Sequence, residues 1–474
     1  MAVRIAVIGA GTAGISCART LVEGGVSVTV FEARGRTGGR IAFSSKLSKP
    51  VDLGPNWMHG DTRENSLYDF YRQDGVVLHD VGCNSAVYGP DGEPYGDEEK
   101  NEVEEYMWRY VDQAIEYSRE SWPDIDANKS LRDYVVEESG RGDEKNSKNG
   151  NKIQMAIEMF GMYTGEPVSK QSLKYALLEE PAPGANMFVA SGYGGIFRAI
   201  AGDVERRVDL RLNCVVTGIE YVRGAQGSAP DSVVIQYTAD EDRHETFDGV
   251  VVAVPLGVLK ANAVRFCPDL PARLRQSICN LGFGRLEKVY MEFETVFWNR
   301  DYYEFLDPFF AGQYEGQGPK SAVSLAHFPE KYCQNVLLWY LYGDEGQKVM
   351  AMDDDEVQKY FQPYLEKIER DSKYDNNYDD GYASGVAGSE HIVMTKWGQD
   401  PLAGFGSYTM FPVGLENGLD DLKVLAKGVP DRRIWFAGEH CARILELATV
   451  GGAYESGLRA GQDVLSHIDL HTAM

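Results

Sequence analysis

One stretch at the start of the chain limits its fold more than any other. Residues 3–8 (VRIAVI) form a short apolar run rich in β-branched side chains, the pattern of a buried parallel strand. Gly9-Ala10-Gly11-Thr12-Ala13-Gly14 follows at once, and residues 15–22 carry helical periodicity until Gly24-Gly25 stops it. Residues 26–31 (VSVTVF) read as a second strand, with Glu32 at its end. Strand, glycine turn, helix, strand and acid in this order form a dinucleotide-binding βαβ unit. Gly9 permits the tight turn, Gly11 lets the backbone approach a pyrophosphate, and Gly14 lets the helix lie close on the strand. Unpaired N–H groups at the helix start, Ala13 among them, would face the phosphates. Glu32 would accept hydrogen bonds from the ribose hydroxyls.

Bulk composition sets outer limits. The chain has 474 residues, room for about two to three domain-sized units. It is 43% hydrophobic, enough to bury a large core. No apolar run is long enough to suggest a transmembrane helix. The first strand starts immediately and leaves no room for a leader, and the final His471-Thr472-Ala473-Met474 matches no retention or peroxisomal signal, so a cytoplasmic protein is expected. The seven cysteines (Cys17, Cys83, Cys214, Cys267, Cys279, Cys333 and Cys441) are scattered and are expected to be mostly reduced core residues. Neither they nor the eight histidines show metal-ligand spacing, so no metal is expected. A formal charge of −25 would repel nucleic acid and favour approach of a cation, although an acidic, solvated surface accounts for it equally well.

Further motifs extend the first. Residues 33–40 hold three arginines and three glycines, with Arg34 and Arg40 placed to meet phosphate. Residues 51–60 (VDLGPNWMHG) suggest backbone lying against a flat ligand, through Gly54, Pro55, Asn56 and Trp57, with His59 alongside. A helix over 97–120 has Val103, Tyr106, Met107, Tyr110, Ala114 and Ile115 on one stripe, a core face. Residues 140–150 and 371–388 read as loops, 153–180 as helices, and 353–369 as an acidic helix. Strands are expected at 210–213, 215–222, 233–238 and 250–254, and a single alternating strand at 283–296 carries Lys288. Near the end, a strand over 434–437 runs into Gly438-Glu439, and a helix beginning at 448–452 offers a second set of N–H groups to an anion. The fold class is therefore α/β. A discontinuous Rossmann-like cofactor domain takes residues 1–80, 200–265 and 395–474. An inserted substrate domain of mixed sheet and helices takes 81–199 and 266–394.

In order, GAGTAG (9–14), Glu32, RTGGR (36–40), LGPNWMHG (53–60), VPLGVLK (254–260), LGFGRLEKV (281–289), FAGEH (436–440) and ATVGGAYESGLRAG (448–461) resemble the flavin-containing amine oxidases over nearly the whole chain. Within that family they are most like polyamine oxidases and the catalytic domain of lysine-specific histone demethylases. The resemblance implies FAD as cofactor, with Glu32 on the adenosine ribose, Arg40 on the pyrophosphate, Val216 on the adenine and Glu439, after Gly438, on the ribityl chain. Gly54 to Trp57 would line the flavin, Thr449 and Val450 would open a helix toward its N1–C2=O edge, and Trp397 would lie nearby. Gly406-Ser407-Tyr408 stands where covalent relatives carry a flavin-linked Cys, which implies non-covalent FAD. Lys288 aligns with the family lysine that holds a water at flavin N5, and His59 with a position that meets the substrate. Tyr408 and Thr449 fall at the substrate cage, leaving it half aromatic.

The implied reaction is oxidation of a C–N bond by hydride transfer to flavin. Dioxygen is reduced to hydrogen peroxide, and the imine is hydrolysed to an aldehyde and an amine. The partners are then a small-molecule amine and O2. The sequence leaves self-association and the particular amine open. Alternatives are a tailoring oxidase on a natural product, an L-amino-acid oxidase using Arg443, and an FAD-binding protein without turnover. Glu166, Glu179 and Glu180 read as solvated acids in preference to sites for a second substrate cation.

Overall fold

The computed structural model describes residues 3–81, 85–89, 93–141, 150–179, 182–224, 231–298, 305–307, 321–374 and 388–472. Its organising element is a five-stranded parallel sheet in the order Ile434–Phe436, Gly249–Val252, Arg4–Ile8, Ser27–Phe31, Asp209–Arg211. Ile5, Val7, Val28, Val30 and all of Gly249–Val252 are buried, as expected where helices cover both faces of a parallel sheet. Strands far apart in sequence thus meet at the carboxyl ends of Arg4–Ile8 and Ser27–Phe31, where doubly wound sheets bind ligands.

Helix Thr12–Glu23 covers one face and buries Ile15, Cys17, Ala18 and Leu21. The terminal helix Val450–Thr472 lies on it so closely that a Cβ at Gly457 would sit 2.2 Å from the Ala13 carbonyl oxygen. Each aliphatic side chain fully buried here contributes about 1.5–3 kcal/mol. The chain's two ends are thereby packed together, which brings both N-terminal helix ends to one cleft.

A second sheet, in the order Asp242–Phe247, Ser232–Thr238, Val215–Val222, Arg265–Cys267, flanks the first. A third, six-stranded sheet has Leu286–Glu292 paired antiparallel to Val336–Tyr342 on one side and to His391–Met394 on the other. The expected single alternating strand at 283–296 is instead two strands, Gly282–Gly284 and Leu286–Glu292. The second is covered on both faces, so it does not alternate.

Other expectations need adjustment. Strand Met187–Val189 pairs with Trp57–Met58 and Leu78–His79. Helix Tyr193–Ala201 buries Ile196, Phe197 and Ile200 in the same core as helix Thr12–Glu23. The expected domain break at 199 therefore falls inside packing shared with the first segment. Helix Asp354–Tyr374 runs past 369, taking the start of the loop expected at 371–388; residues 375–387 lie outside the described residues, as do 142–149 of the loop at 140–150. Cys267 and Cys279 are exposed and not core, and Cys83 lies outside the described residues. No helix among the described residues is long and apolar enough to cross a membrane, and no cluster of His, Cys, Asp or Glu there could hold a metal.

Candidate active site

A single cavity of about 930 Å³ runs from the glycine turn of the first helix to Lys288. Of the residues the sequence pointed to, Gly9, Gly11, Ala13, Glu32, Arg34, Arg40, Gly54, Pro55, Asn56, Trp57, His59 and Val216 line it. So do Lys288, Trp397, Tyr408, Gly438, Glu439, Thr449 and Val450. Gly14 does not. A Cβ there would lie 1.9 Å from the Gly9 carbonyl oxygen, so Gly14 acts by letting the helix pack, not by touching a ligand.

The dinucleotide end is built mainly from backbone. Gly11 caps helix Thr12–Glu23 with no side-chain hydrogen bond, and the first turn holds no acid, so the positive helix end is left for an anion. The turn at 36–40 crosses this end, with the Gly38 N–H donating to the Ala10 carbonyl at 2.9 Å. Gly54 is fixed by space: a Cβ would meet the Arg40 carbonyl oxygen at 1.9 Å. Glu32 is buried, and its two oxygens accept from the Ala10 and Arg34 N–H groups at 2.8 Å each. An ionised carboxylate has about four acceptor sites, so capacity for ribose hydroxyls remains. Arg34 sends its guanidinium to Asp400 at 2.6 Å. Arg40 donates to Glu439 at 3.1 Å, and Glu439 also accepts the Thr409 N–H at 3.2 Å. The donors, the open glycine cradle and the buried acid fit an adenine dinucleotide.

The far end is built from side chains. Lys288 is buried in strand Leu286–Glu292, and its ammonium donates to the Gly54 carbonyl and to Asn56 Oδ1. Tyr340, directly across the strand pair, donates to the same Asn56 oxygen at 3.1 Å and accepts from Trp57 Nε1 at 3.0 Å. Its ring centroid lies 5.8 Å from the Lys288 nitrogen. Burial pulls the Lys288 pKa down, to about 7, against the opposing charge of the Asp52 carboxylate. Burial also pushes Asp52 up, to about 6, opposed by the Tyr193 N–H and by Lys288. Both groups are thus drawn toward their neutral forms.

Next to Lys288, Glu287 faces the other way and is wholly buried. It accepts from Thr395 Oγ1 at 2.6 Å and from the Trp397 and Gly398 N–H groups at 3.1 and 2.6 Å. These bonds fix Trp397, whose indole N–H donates to the Leu53 carbonyl at 2.9 Å. Sequence reasoning misses the parts played by Tyr340 and Glu287. A tyrosine in an apolar strand carries no motif, and only the strand pairing places it.

Two side chains have different surroundings from those expected. Thr449 has its hydroxyl engaged, donating to the Glu446 carbonyl at 2.7 Å and accepting the Gly452 N–H at 3.0 Å. It caps the terminal helix and lines the cavity at that helix's start. Glu166 is not a solvated acid: it is buried and held by Arg285 at 3.1 Å and Lys170 at 3.2 Å. Glu180 and the Glu179 side chain lie outside the described residues. His59 is exposed toward the cavity, with Nδ1 3.3 Å from Asn186 Oδ1. Arg443, which the amino-acid oxidase alternative needs, does not line the cavity and is paired with Glu455 at 2.8 Å and Glu446 at 3.4 Å.

Comparison with known proteins follows the same outline. A family model described as flavin containing amine oxidoreductase matches residues 12–465. Polyamine oxidase 4 of Oryza sativa subsp. japonica is 28% identical, over 98% of this chain and 89% of that protein. Lysine-specific histone demethylase 1 homolog 3 of Oryza sativa subsp. indica is 29% identical, over 99% of this chain but 55% of that protein. Among solved structures, wild-type putrescine oxidase bound to putrescine shares the fold with a TM-score of 0.72 at 18% identity, covering 98% of this chain and 99% of that one.

Proposed function

This chain belongs to the flavin-containing amine oxidoreductases and is an FAD-dependent amine oxidase; from that premise we propose that its substrate is a polyamine. The observation that carries the reading is the placement of Lys288. A buried ammonium, which donates to the neutral Gly54 and Asn56 carbonyls, opens onto the same cavity as the fingerprint glycines. Similarity to a polyamine oxidase over nearly the full length of both chains supports it.

When bound, FAD supplies the acceptor for the hydride removed from the amine carbon. The protein's part is positioning and proton handling. Gly11, Arg40 and the start of helix Thr12–Glu23 hold the phosphates, and Glu32 holds the ribose. Glu439 would hold the ribityl chain and the start of helix Val450–Thr472 the flavin's N1–C2=O edge, without a covalent bond, since Gly406-Ser407-Tyr408 presents no thiol. Trp57, Trp397 and Tyr408 shape the wall beside which the amine lies. Lys288, poised near neutrality, exchanges a proton at its Nζ during turnover and does not attack the substrate. We assign residues 1–80, about 187–265 and 395–474 to the cofactor unit, and 81–186 with 266–394 to the substrate unit.

The test is peroxide release with spermine, spermidine, their acetyl forms and aromatic monoamines. Release with one or more polyamines, well above that with the monoamines, is expected. Release only with amino acids or monoamines overturns the polyamine reading. The taken guanidinium of Arg443 weighs against the amino acids.

A further inference from the structure

Asp52 is buried at the end of the short strand Val51–Asp52, two residues before Gly54, whose carbonyl accepts from Lys288. Its Oδ2 accepts the Tyr193 N–H at 2.9 Å. Tyr193 opens helix Tyr193–Ala201, and Gly192 before it supplies no side-chain cap. The carboxylate lies so close to this helix start that a Cβ on Gly192 would be 3.3 Å from Oδ2. Unpaired N–H groups of the first turn, together with the helix dipole, stabilise an anion there. Asp52 therefore caps a helix from a distant segment, and the helix start anchors its charge.

Strand Leu286–Glu292 clasps the same segment. Lys288 and Tyr290 are two residues apart and share a face of the strand. Tyr290 donates its hydroxyl to the Asp52 carbonyl at 2.5 Å, and Lys288 reaches the Gly54 carbonyl and Asn56 Oδ1. Asn56 Nδ2 lies 3.5 Å from the Tyr290 hydroxyl. Residues 52, 54 and 56 are each tied to the strand that carries Lys288, which fixes the carboxylate's place relative to the ammonium. Lys288 Nζ meets the two neutral oxygens and not the carboxylate, so Asp52 acts on it across space, in buried surroundings that screen charge weakly. Tyr71, Tyr193, Tyr290 and Tyr340, the ionisable hydroxyls around the pair, stay neutral, because burial pushes the pKa of each up. Glu287 faces away and is taken up by Thr395, Trp397 and Gly398.

We propose that Asp52 is a positioning residue for the reaction, its anchored carboxylate deciding when Lys288 carries a proton. This rests on the reading of Lys288 as the group that exchanges a proton during turnover, and adds to it the residue that governs the exchange. The direction follows from charge. A nearby carboxylate favours the ammonium and opposes burial, which favours the neutral amine. Without the carboxylate, Lys288 gives up its proton at a lower pH.

The test is Asp52→Asn, which keeps an acceptor for the Tyr193 N–H and removes the charge. Lysine isotopically labelled at Cε reports each ammonium's titration by NMR in the flavin-loaded protein, and the Lys288 signal is the one missing from Lys288→Met. In the wild type it should titrate at about 7. In Asp52→Asn the titration should move down by about one pH unit or more, and in Asp52→Glu it should stay near the wild-type value. The kinetic counterpart is the kcat/KM of Asp52→Asn relative to wild type, which should rise about fivefold from pH 9 to pH 6, as Lys288 becomes protonated chiefly in the wild type. Flavin content and melting temperature show whether each variant is folded; if Asp52→Asn is not, Asp52→Ser, whose hydroxyl can accept the same N–H, takes its place with the same shift expected. An unmoved Lys288 titration in the folded, flavin-loaded variant overturns the Asp52 assignment and leaves the role of Lys288 standing. A wild-type Lys288 that titrates at the ordinary lysine value overturns the reading of Lys288 itself, and the assignment with it.

Discussion

The cavity's two ends are made in different ways. At the dinucleotide end the contacts come from backbone: a glycine turn, two helix starts and an acid that ties down main-chain amides. At the amine end they come from side chains on separate elements, with Lys288 and Tyr340 both donating to the side-chain oxygen of Asn56 and Trp108 arriving from a distant helix. A backbone site needs space, and so it is encoded by glycines at fixed spacing. A side-chain site needs partners, and so it exists only after strands and helices have paired. Substitutions should therefore fail differently at the two ends.

The largest effect is expected from Gly14→Ala. Its methyl would press on the Gly9 carbonyl, backbone that has nowhere to move. A cost of about 1–3 kcal/mol or more is expected, with the phosphate cradle distorted. Flavin-to-protein ratio after purification should fall steeply, and all activity with it. Normal flavin content would show that the dinucleotide end is less constrained than its geometry implies.

Lys288→Met should separate the ends. The variant should keep its flavin, because the cofactor is held elsewhere, yet turn over roughly 10²-fold more slowly, the scale of a lost proton-transfer group. Stopped-flow spectroscopy measures reduction and reoxidation separately. Wild-type rates in both phases would remove Lys288 from the chemistry.

A pH series sharpens the same point. A substrate amine with a pKa near that of free lysine must lose a proton to react, so kcat/KM with a polyamine should rise about tenfold per pH unit between pH 7 and 9. Lys288 adds a second break. Burial lowers its pKa to about 7, so below that value it is protonated and cannot accept a proton, and the slope should steepen on the acid side. The rise should persist in Lys288→Met while the break near 7 disappears. A flat wild-type profile would contradict both assignments.

The smallest effect is expected from Tyr340→Phe. It removes one bond to Asn56 and the acceptor for Trp57, each worth about 0.5–1.5 kcal/mol. A several-fold loss of activity with full flavin content is the expected outcome; loss of flavin would mean that the two ends are less separable than described.

The same contrast decides how much of the molecule is legible in its amino-acid sequence. The first strands of the parallel sheet, the helix start beside them and the glycines and Glu32 that line the cavity follow from local patterns, since Gly9 to Glu32 encode a turn, a helix and a strand within one short stretch. Lys288 is legible because its neighbourhood carries a motif. Tyr340 is not, because in the strand Val336–Tyr342 every residue is buried and nothing local tells a lining tyrosine from a packing one. Helix Asp97–Ser121 makes the point again. Its apolar stripe is core, as its periodicity says, while Trp108 at the stripe's edge reaches the cavity beside the Tyr163 ring, a neighbour that periodicity does not give. Thr449 shows what a motif position leaves unsaid, namely what its hydroxyl bonds: here it caps a helix.

The central claim, that one cavity holds FAD at one end and a reacting polyamine beside Lys288 at the other, is tested most directly by anaerobic titration of the flavin-loaded protein with spermidine or spermine. Loss of the oxidised flavin's yellow absorbance, followed by its return when oxygen is admitted, is the result expected. An oxidised spectrum unchanged at saturating amine, in protein that carries its full complement of flavin, would contradict it.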